Sequence, residues 1–308
     1  MPYMKISLFI PTYNAVTWCG TRFAQNLEII KAANLHRVLV IDSSSTDTTV
    51  DVVESFGFEC QIIPTVQFDH GGTRHTAATT LSDSDIIVYL TQDVLLKNVD
   101  SITQLIEPLI TNENIASSYG RQLAHTDADI FAKHLRRFNY SRVSYVRKYD
   151  DRYVYGMRTV FSSDSFAAYR LTALIAIGGF PKHLIMGEDV YVTAKLLKAG
   201  YQIVYVAQAI CYHSHNYSII EEFQRYFDIG AFHRAEGWIR SDFGTANKDG
   251  LKFVLSEWKY LLFRRPWMLP KSVLKILAKY LGYKFGLNYD EIGVRLCRKF
   301  SMNKNFWW

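Results

Sequence analysis

The amino-acid sequence predicts an α/β protein, a parallel sheet covered by helices on both faces and followed by a helical tail. Three observations predict it. Over the first half of the chain, short β-prone apolar runs alternate with stretches carrying apolar residues at helical spacing, the pattern of right-handed βαβ units. Three of the runs end in polar residues, at "PTYN" (11–14), "IDSSSTD" (41–47) and "TQD" (91–93). One edge of the sheet therefore collects polar groups, and ligands of such sheets sit at the carboxyl ends of the strands. Finally, residues 221–308 read as helical and basic, with aromatics interleaved, as in "FRRPWMLPKSVLKILAKYLGYKFG".

Element by element, "KISLFIP" (5–11) is a strand and "TRFAQNLEIIKAAN" (21–34) a helix. "RVLVID" (37–42) is a second strand; "STDTTVDVVESFG" (45–57) is a helix with capping residues at its start and glycine at its end. "CQIIPT" (60–65) and "DIIVYLT" (85–91) are further strands flanking a helix at "TRHTAATTLS" (73–82). Residues 120–165, rich in Arg and Tyr, read as helical with an ordered loop over the site. From Ser165 the regular pattern resumes, with an amphipathic helix at "GEDVYVTAKLLKAGY" (187–201) and a strand at "QIVYVAQAICYHS" (202–214).

The 308 residues are 49% hydrophobic and 21% charged, a globular rather than a disordered composition. No run approaches the ~18 uninterrupted apolar residues of a membrane span. The opening "MPYMKISLFIPTYN" runs straight into a strand pattern, which predicts no signal peptide. Cys19, Cys60, Cys211 and Cys297 are scattered without a paired spacing, as expected of reduced thiols in a cytoplasmic protein. The net charge of +6 suits an anionic ligand or membrane surface. The basic residues are spread and match no reader motif, so no nucleic-acid partner is expected.

Asp42 ends a strand, where a carboxylate can accept from a nucleobase imide or a ribose hydroxyl; Ser45 and Asp47 beside it suffice as helix caps. Asp93 can hold Mg²⁺ or Mn²⁺, since few protein carboxylates are needed when phosphates supply other ligands. Glu188 and Asp189 share a helix N-terminus, where dipole and free amides favour the charged carboxylate and keep one available as a general base. His213 and His215 lie on one side of an extended segment, and either can ligate a metal. Paired glycines in "FDHGGTRHTA" (68–77) allow close backbone approach, and Arg74 opens the following helix, where it can grip a diphosphate.

In this order, "SLFIPTYN", "VLVIDSSSTDTT", "TQD", "GEDVYVTAKLLKAGY" and "HSHNY" resemble a family 2 glycosyltransferase of GT-A fold, over roughly residues 5–220. Within that family, "FDHGGTRHTA", "TQDV" and "HSHNYSIIEEFQRYFDIGAFH" resemble the bacterial rhamnosyltransferases of O-antigen and related surface polysaccharides. The resemblance implies a catalytic domain over residues 1–220, a Rossmann-like mixed sheet that binds a nucleotide sugar, and a helical extension over 221–308. It implies that Pro11, Thr12, Tyr13, Asn14, Asp42, Ser44, Arg74 and Gln92 surround the nucleotide sugar. Asp93 and His215 would hold the Mg²⁺ or Mn²⁺, and Asp189, beside Glu188, would be the base of an inverting displacement.

The usual family motif has two acids around the metal, and "TQD" keeps only the last. The implied donor is dTDP-β-L-rhamnose and the implied acceptor a lipid-linked saccharide, at the inner face of the cell membrane. Arg264, Arg265, Trp267, Lys271, Lys275 and Lys279 suit a membrane-surface helix, or equally one packed on the catalytic domain or on a second subunit as a homodimer. Competing expectations are a UDP-hexose or UDP-N-acetylhexosamine donor, and a non-catalytic assembly scaffold. A nucleotidyltransferase would open with a Gly-rich basic loop after the first strand, where this chain has "PTYNAVTWCG".

Overall fold

A computed structural model describes residues 4–244 and 247–307. Its strands are β1 (Ile6–Thr12), β2 (Arg37–Asp42), β3 (Glu59–Ile62), β4 (Ile86–Leu90), β5 (Leu95–Leu96), β6 (Ile115–Leu123), β7 (Tyr145–Arg147), β8 (Phe166–Arg170) and β9 (Gln202–Tyr212). They form one mixed sheet in the order β3-β2-β1-β4-β8-β6-β9-β5, with β7 also on β9. The β3-β2-β1-β4 half is parallel, as predicted. β8 then enters antiparallel between β4 and β6, and β9 runs parallel to β6.

The helices of the first half are α1 (Ala15–Cys19), α2 (Thr21–Ala32), α3 (Thr49–Ser55), α4 (His70–Thr80), α5 (Asp100–Thr111), α6 (Ile130–Asn139) and α7 (Arg152–Tyr155). The second half adds α8 (Leu171–Ala176), α9 (Glu188–Lys198), α10 (Ile219–Ala235), α11 (Gly237–Phe243), α12 (Asn247–Leu262), α13 (Leu269–Leu287) and α14 (Val294–Phe300).

β4 reads as an unbroken apolar run because both its faces are covered. On one side Val88 and Leu90 pack with Leu8 and Val40 against Phe23 and Leu27 of α2 and Leu105 of α5. On the other, Ile87 and Tyr89 pack with Phe9 and Leu39 against Ala77 of α4 and Val192 of α9. A third cluster joins Ala194 and Ile203 to Phe227, Phe232 and Trp307, so the C-terminal helices share apolar core with α9 and β9.

Three segments depart from the sequence pattern. The helix expected from residue 45 begins at Thr49, because Ser45 is spent on Asp42 and Asp47 accepts from the Thr49 amide at 3.0 Å. The strand expected over 60–65 ends at Ile62, two residues before Pro64, whose ring removes a backbone donor. α5 falls outside the elements read from the sequence although Ile102, Leu105, Ile106 and Leu109 recur at helical spacing, and β6 carries only a weak strand pattern. In β6 the buried Ser117, Ser118 and Gln122 break the apolar pattern, and a Cβ at Gly120 would strike the Phe166 ring.

Residues 120–165, expected to be helical with a loop, hold the end of β6, then α6, β7, α7 and turns.

α10 and α13 lie backbone to backbone. A Cβ on Gly282 would collide with the Phe223 carbonyl, one on Gly286 with that of Phe227, and one on Gly230 with that of Tyr283. Gly250, in α12, faces open space. Gly286→Ala should therefore destabilise by ~1–3 kcal/mol through overpacking, whereas Gly250→Ala should stabilise by ~0.5–1 kcal/mol through helix propensity. Urea unfolding of the two variants measures these opposite signs.

Candidate active site

The carboxyl ends of β1, β2 and β4 are tied together by short polar bonds. Asp42, fully buried at the end of β2, accepts from the Thr12 hydroxyl (2.7 Å), the Ser45 hydroxyl (2.6 Å) and the Ser45 amide (2.7 Å). Asn14 takes a left-handed φ of 49°, and its side-chain oxygen accepts from the Thr46 amide at 2.7 Å. Ser44, at φ 61°, donates its hydroxyl to the Ile63 carbonyl. Gln92 completes the edge: its amide oxygen accepts from the Tyr13 N–H at 2.8 Å and its NH₂ donates to the Tyr13 carbonyl at 3.2 Å. The segments Pro11–Asn14, Asp42–Thr46 and Gln92 are thus one preorganised rim, from which the Tyr13 ring projects toward solvent.

One residue beyond Gln92, Asp93 meets the end of β9. Its Oδ2 lies 3.1 Å from His213 Nε2 and 3.4 Å from His215 Nε2. The three ligand atoms fall within 4.8 Å of one another. Burial alone would raise the Asp93 carboxyl, but the charges and hydrogen bonding of His213, then His215 and Thr91, hold it well below the usual carboxylate range. His215, whose side chain is still 39% exposed, is pushed down from the usual imidazole range by desolvation and then by His213. His213 Nδ1 lies 2.9 Å from the Gln122 side-chain oxygen. With Nδ1–H kept on Gln122, exchange of the Nε2 proton for a metal would turn that nitrogen into a ligand beside Asp93. One carboxylate and two imidazoles suit a divalent cation such as Mn²⁺ or Mg²⁺.

The second cluster centres on Arg74 of α4. Its side chain is only 4% exposed, with Nη1 3.0 Å from Glu188 and Nε 3.4 Å from Asp164. Nη1 also donates to the His70 carbonyl at 2.9 Å. Gly187, at φ 82°, turns the chain so that α9 starts with Glu188 and Asp189. Burial works against the Glu188 carboxylate, but Arg74, then His70 and the backbone amides of Glu188 and Gly187, together outweigh it and hold the group low. Asp164, which accepts from the Tyr169 hydroxyl, is pushed up by burial. Burial, and then the Glu188 charge, push Asp189 up to about 6. Its Oδ1 accepts from the neighbouring Val190 amide at 2.8 Å, and the Asp164 backbone also favours the charged carboxylate.

A cavity of about 580 Å³ joins the clusters, with Asp93, His213 and His215 on one wall and Arg74, Glu188 and Asp189 on another. Arg136 of α6 and Arg225 of α10 also line it. Among the described residues neither has a carboxylate partner, and Arg136 Nε is buried without a hydrogen bond.

The structure thus brings Asp93, His215, Arg74, Glu188 and Asp189 around one cavity, while Thr12 and Asp42 lie beneath the adjoining rim. Sequence reasoning named His213 only as an alternative to His215, and missed Arg136 and Arg225. The alternate spacing of His213 and His215 signalled the first, whereas the two arginines lie on helices whose mutual approach no local pattern encodes.

A mixed sheet whose cavity joins a triad able to hold a divalent cation to a half-buried carboxyl has the layout of a glycosyltransferase of the GT-A class. Comparison with known proteins makes this specific: the profile of "Glycosyl transferase family 2" matches residues 7–178, and the chain belongs to that family. The chain is 43% identical over 307 residues to the O-antigen chain rhamnosyltransferase RfbN of Salmonella typhimurium, an alignment covering 99% of this chain and 96% of that protein. It is 41% identical over 305 residues to the O-antigen chain rhamnosyltransferase WbaN of Salmonella anatum, covering 98% and 96%. Among solved structures, the fold is similar to that of a mannosyltransferase from Pyrobaculum calidifontis in complex with GDP-Man and Mn²⁺ (TM-score 0.56, 16% identity, 99% of this chain and 85% of that one). It is also similar to S. aureus TarS 1-349 in complex with UDP (TM-score 0.53, 14% identity, covering 94% and 92%).

Removing the Arg74 charge would leave Glu188, Asp164 and Asp189 buried together without a cation. Arg74→Met should therefore lose ~3–5 kcal/mol of stability at neutral pH, read by urea unfolding, with part of the loss recovered at pH 5 as the carboxyls take up protons.

Proposed function

We propose that the protein is an inverting rhamnosyltransferase. In this reading it moves L-rhamnose from dTDP-β-L-rhamnose to a hydroxyl of a lipid-linked saccharide during bacterial surface polysaccharide synthesis, at the inner face of the cell membrane. The observation that carries the chemistry is the shared cavity, which holds the half-buried Asp189 carboxyl at the start of α9 together with the Asp93–His213–His215 triad. The identity to two rhamnosyltransferases over nearly the whole chain supports the donor and the pathway class. Residues 1–220 would carry most of the reaction, and residues 221–308 would wall the cavity and supply Arg225.

The acceptor hydroxyl attacks the anomeric carbon while the bond from that carbon to the diphosphate oxygen breaks on the opposite face. The hydroxyl proton passes to Asp189, and a β-linked donor yields an α-linked product. With its carboxyl at about 6, Asp189 is mostly ionised at neutral pH yet basic enough to take the proton. Arg74 holds Glu188 and so maintains the charge that keeps Asp189 basic.

A Mg²⁺ or Mn²⁺ ion held by Asp93, His213 and His215 would offset negative charge on the departing diphosphate. Arg136 and Arg225, whose charges are unpaired, would meet the remaining phosphate charge; Arg74, already shared among carboxylates, is less free to do so. The Pro11–Asn14 rim, braced from beneath by Asp42 and flanked by Ser44 and Gln92, would seat the nucleoside.

Purified protein incubated with dTDP-rhamnose and an oligosaccharide acceptor should release dTDP, and should stop when EDTA removes the divalent cation. Turnover of a UDP-hexose or UDP-N-acetylhexosamine instead would replace the donor, and failure to bind any donor would favour the scaffold reading. Asp189→Asn should lower kcat by ~10²–10⁴-fold. Since the base works only when deprotonated, kcat should fall as pH drops through about 6 and level off above it. Arg225→Met should weaken dTDP binding by ~10–100-fold in calorimetry, the weight of a charge-assisted hydrogen bond, while leaving thermal stability near that of the parent.

A further inference from the structure

The outer sides of α12 and α13 are apolar and face solvent. On α12, Leu251, Leu255, Trp258 and Leu262 recur at helical spacing and are 63%, 58%, 38% and 57% exposed. On α13, Val273, Leu277, Tyr280 and Leu281 do the same. The opposite side of α13, Ser272, Lys275, Ala278, Gly282 and Gly286, is buried. At the turn between the two helices, Phe263 and Trp267 are 79% and 70% exposed. Soluble surfaces rarely leave contiguous apolar area of this kind without a partner.

The exposed charges between residues 250 and 288 have one sign. Lys252, Lys259, Arg264, Arg265, Lys271 and Lys284 are all exposed and the one acid in that span, Glu257, is buried; Asp249, just before it in α12, is bound to Arg158 and lies 3.9 Å from Lys252. Interleaved cations, aliphatic residues and exposed aromatics are what an element lying in a lipid headgroup layer requires. A second copy of the chain would oppose cations to cations. Among the described residues no helix is long and apolar enough to cross a membrane, so the contact is with a surface.

We propose that the outer face of the α12–α13 hairpin docks on an anionic phospholipid bilayer. This rests on the reading of a lipid-linked acceptor and adds the surface that brings the enzyme to it. The inner side of α13 supplies Lys279 to the cavity wall. Docking therefore sets the cavity about one helix diameter, roughly 10 Å, from the headgroups.

The test is sedimentation of the full chain with vesicles of pure phosphatidylcholine or with a third of that lipid replaced by phosphatidylglycerol. The expected result is binding to the anionic vesicles at least tenfold tighter than to neutral ones and weakened by salt. Replacing Arg264, Arg265 and Lys271 together by Gln should weaken it by roughly a hundredfold, at about fivefold per cation. Phe263→Ser combined with Trp267→Ser should weaken it as well.

Both variants should keep parental transfer to a water-soluble oligosaccharide acceptor, which reports correct folding and tests the rhamnosyltransferase reading separately. No vesicle binding by an enzyme active on the soluble acceptor would overturn the docking proposal. So would equal binding to neutral vesicles, or a stable dimer in sedimentation velocity that the Phe263→Ser/Trp267→Ser variant dissociates. Loss of transfer with vesicle binding intact would overturn the functional reading and leave the docking surface standing.

Discussion

A guanidinium buried among carboxylates is tolerable only if the charges balance locally, and the site is organised around that constraint. Arg74 contacts Glu188 and Asp164, with Asp189 next along the chain. One cation cannot hold three acids ionised in a poorly solvated pocket. The acids therefore divide: Glu188 is held charged, while burial raises Asp164 and Asp189. A carboxyl raised by burial is a stronger base than one in water. Arg74, which the sequence suggests for a phosphate, is in contact with two of these carboxylates in the folded chain.

The parallel half of the sheet was legible because its strands are covered on both faces and its helices carry apolar stripes of regular period. The antiparallel half was not. β6 is buried although it contains Ser117, Ser118, Gly120 and Gln122, because the Ser118 hydroxyl donates to the Leu105 carbonyl and Gly120 clears space for Phe166. Such positions are polar or small for a neighbour's sake, and a single-sequence pattern cannot register the neighbour.

The site divided along the same line. Motifs within one turn, such as "TQD" and "GEDV", exposed Asp93 and Asp189, and Asp42 drew attention at a strand end. In the folded chain Asp42 is fully buried and holds together the loops after β1 and β2. His213 was visible as one of two histidines, but what singles it out is Gln122, distant in the chain, fixing its tautomer. Arg136 and Arg225 acquire meaning only once α6 and α10 face one cavity. Residues 221–308 read as an appendage because their charge and aromatic content resemble a surface helix, yet Phe227 and Phe232 complete a core begun by α9 and β9.

The three glycines between α10 and α13 bear on how that cavity could feel the outside of the molecule. Ordinary helix pairs are separated by interdigitated side chains, which can change rotamer and let one helix slip on the other. Where Gly230, Gly282 and Gly286 bring main chain against main chain, that compliant layer is missing. A push on the outer side of α13 is then carried to Glu222 and Arg225 without being absorbed, as by a strut with no gasket.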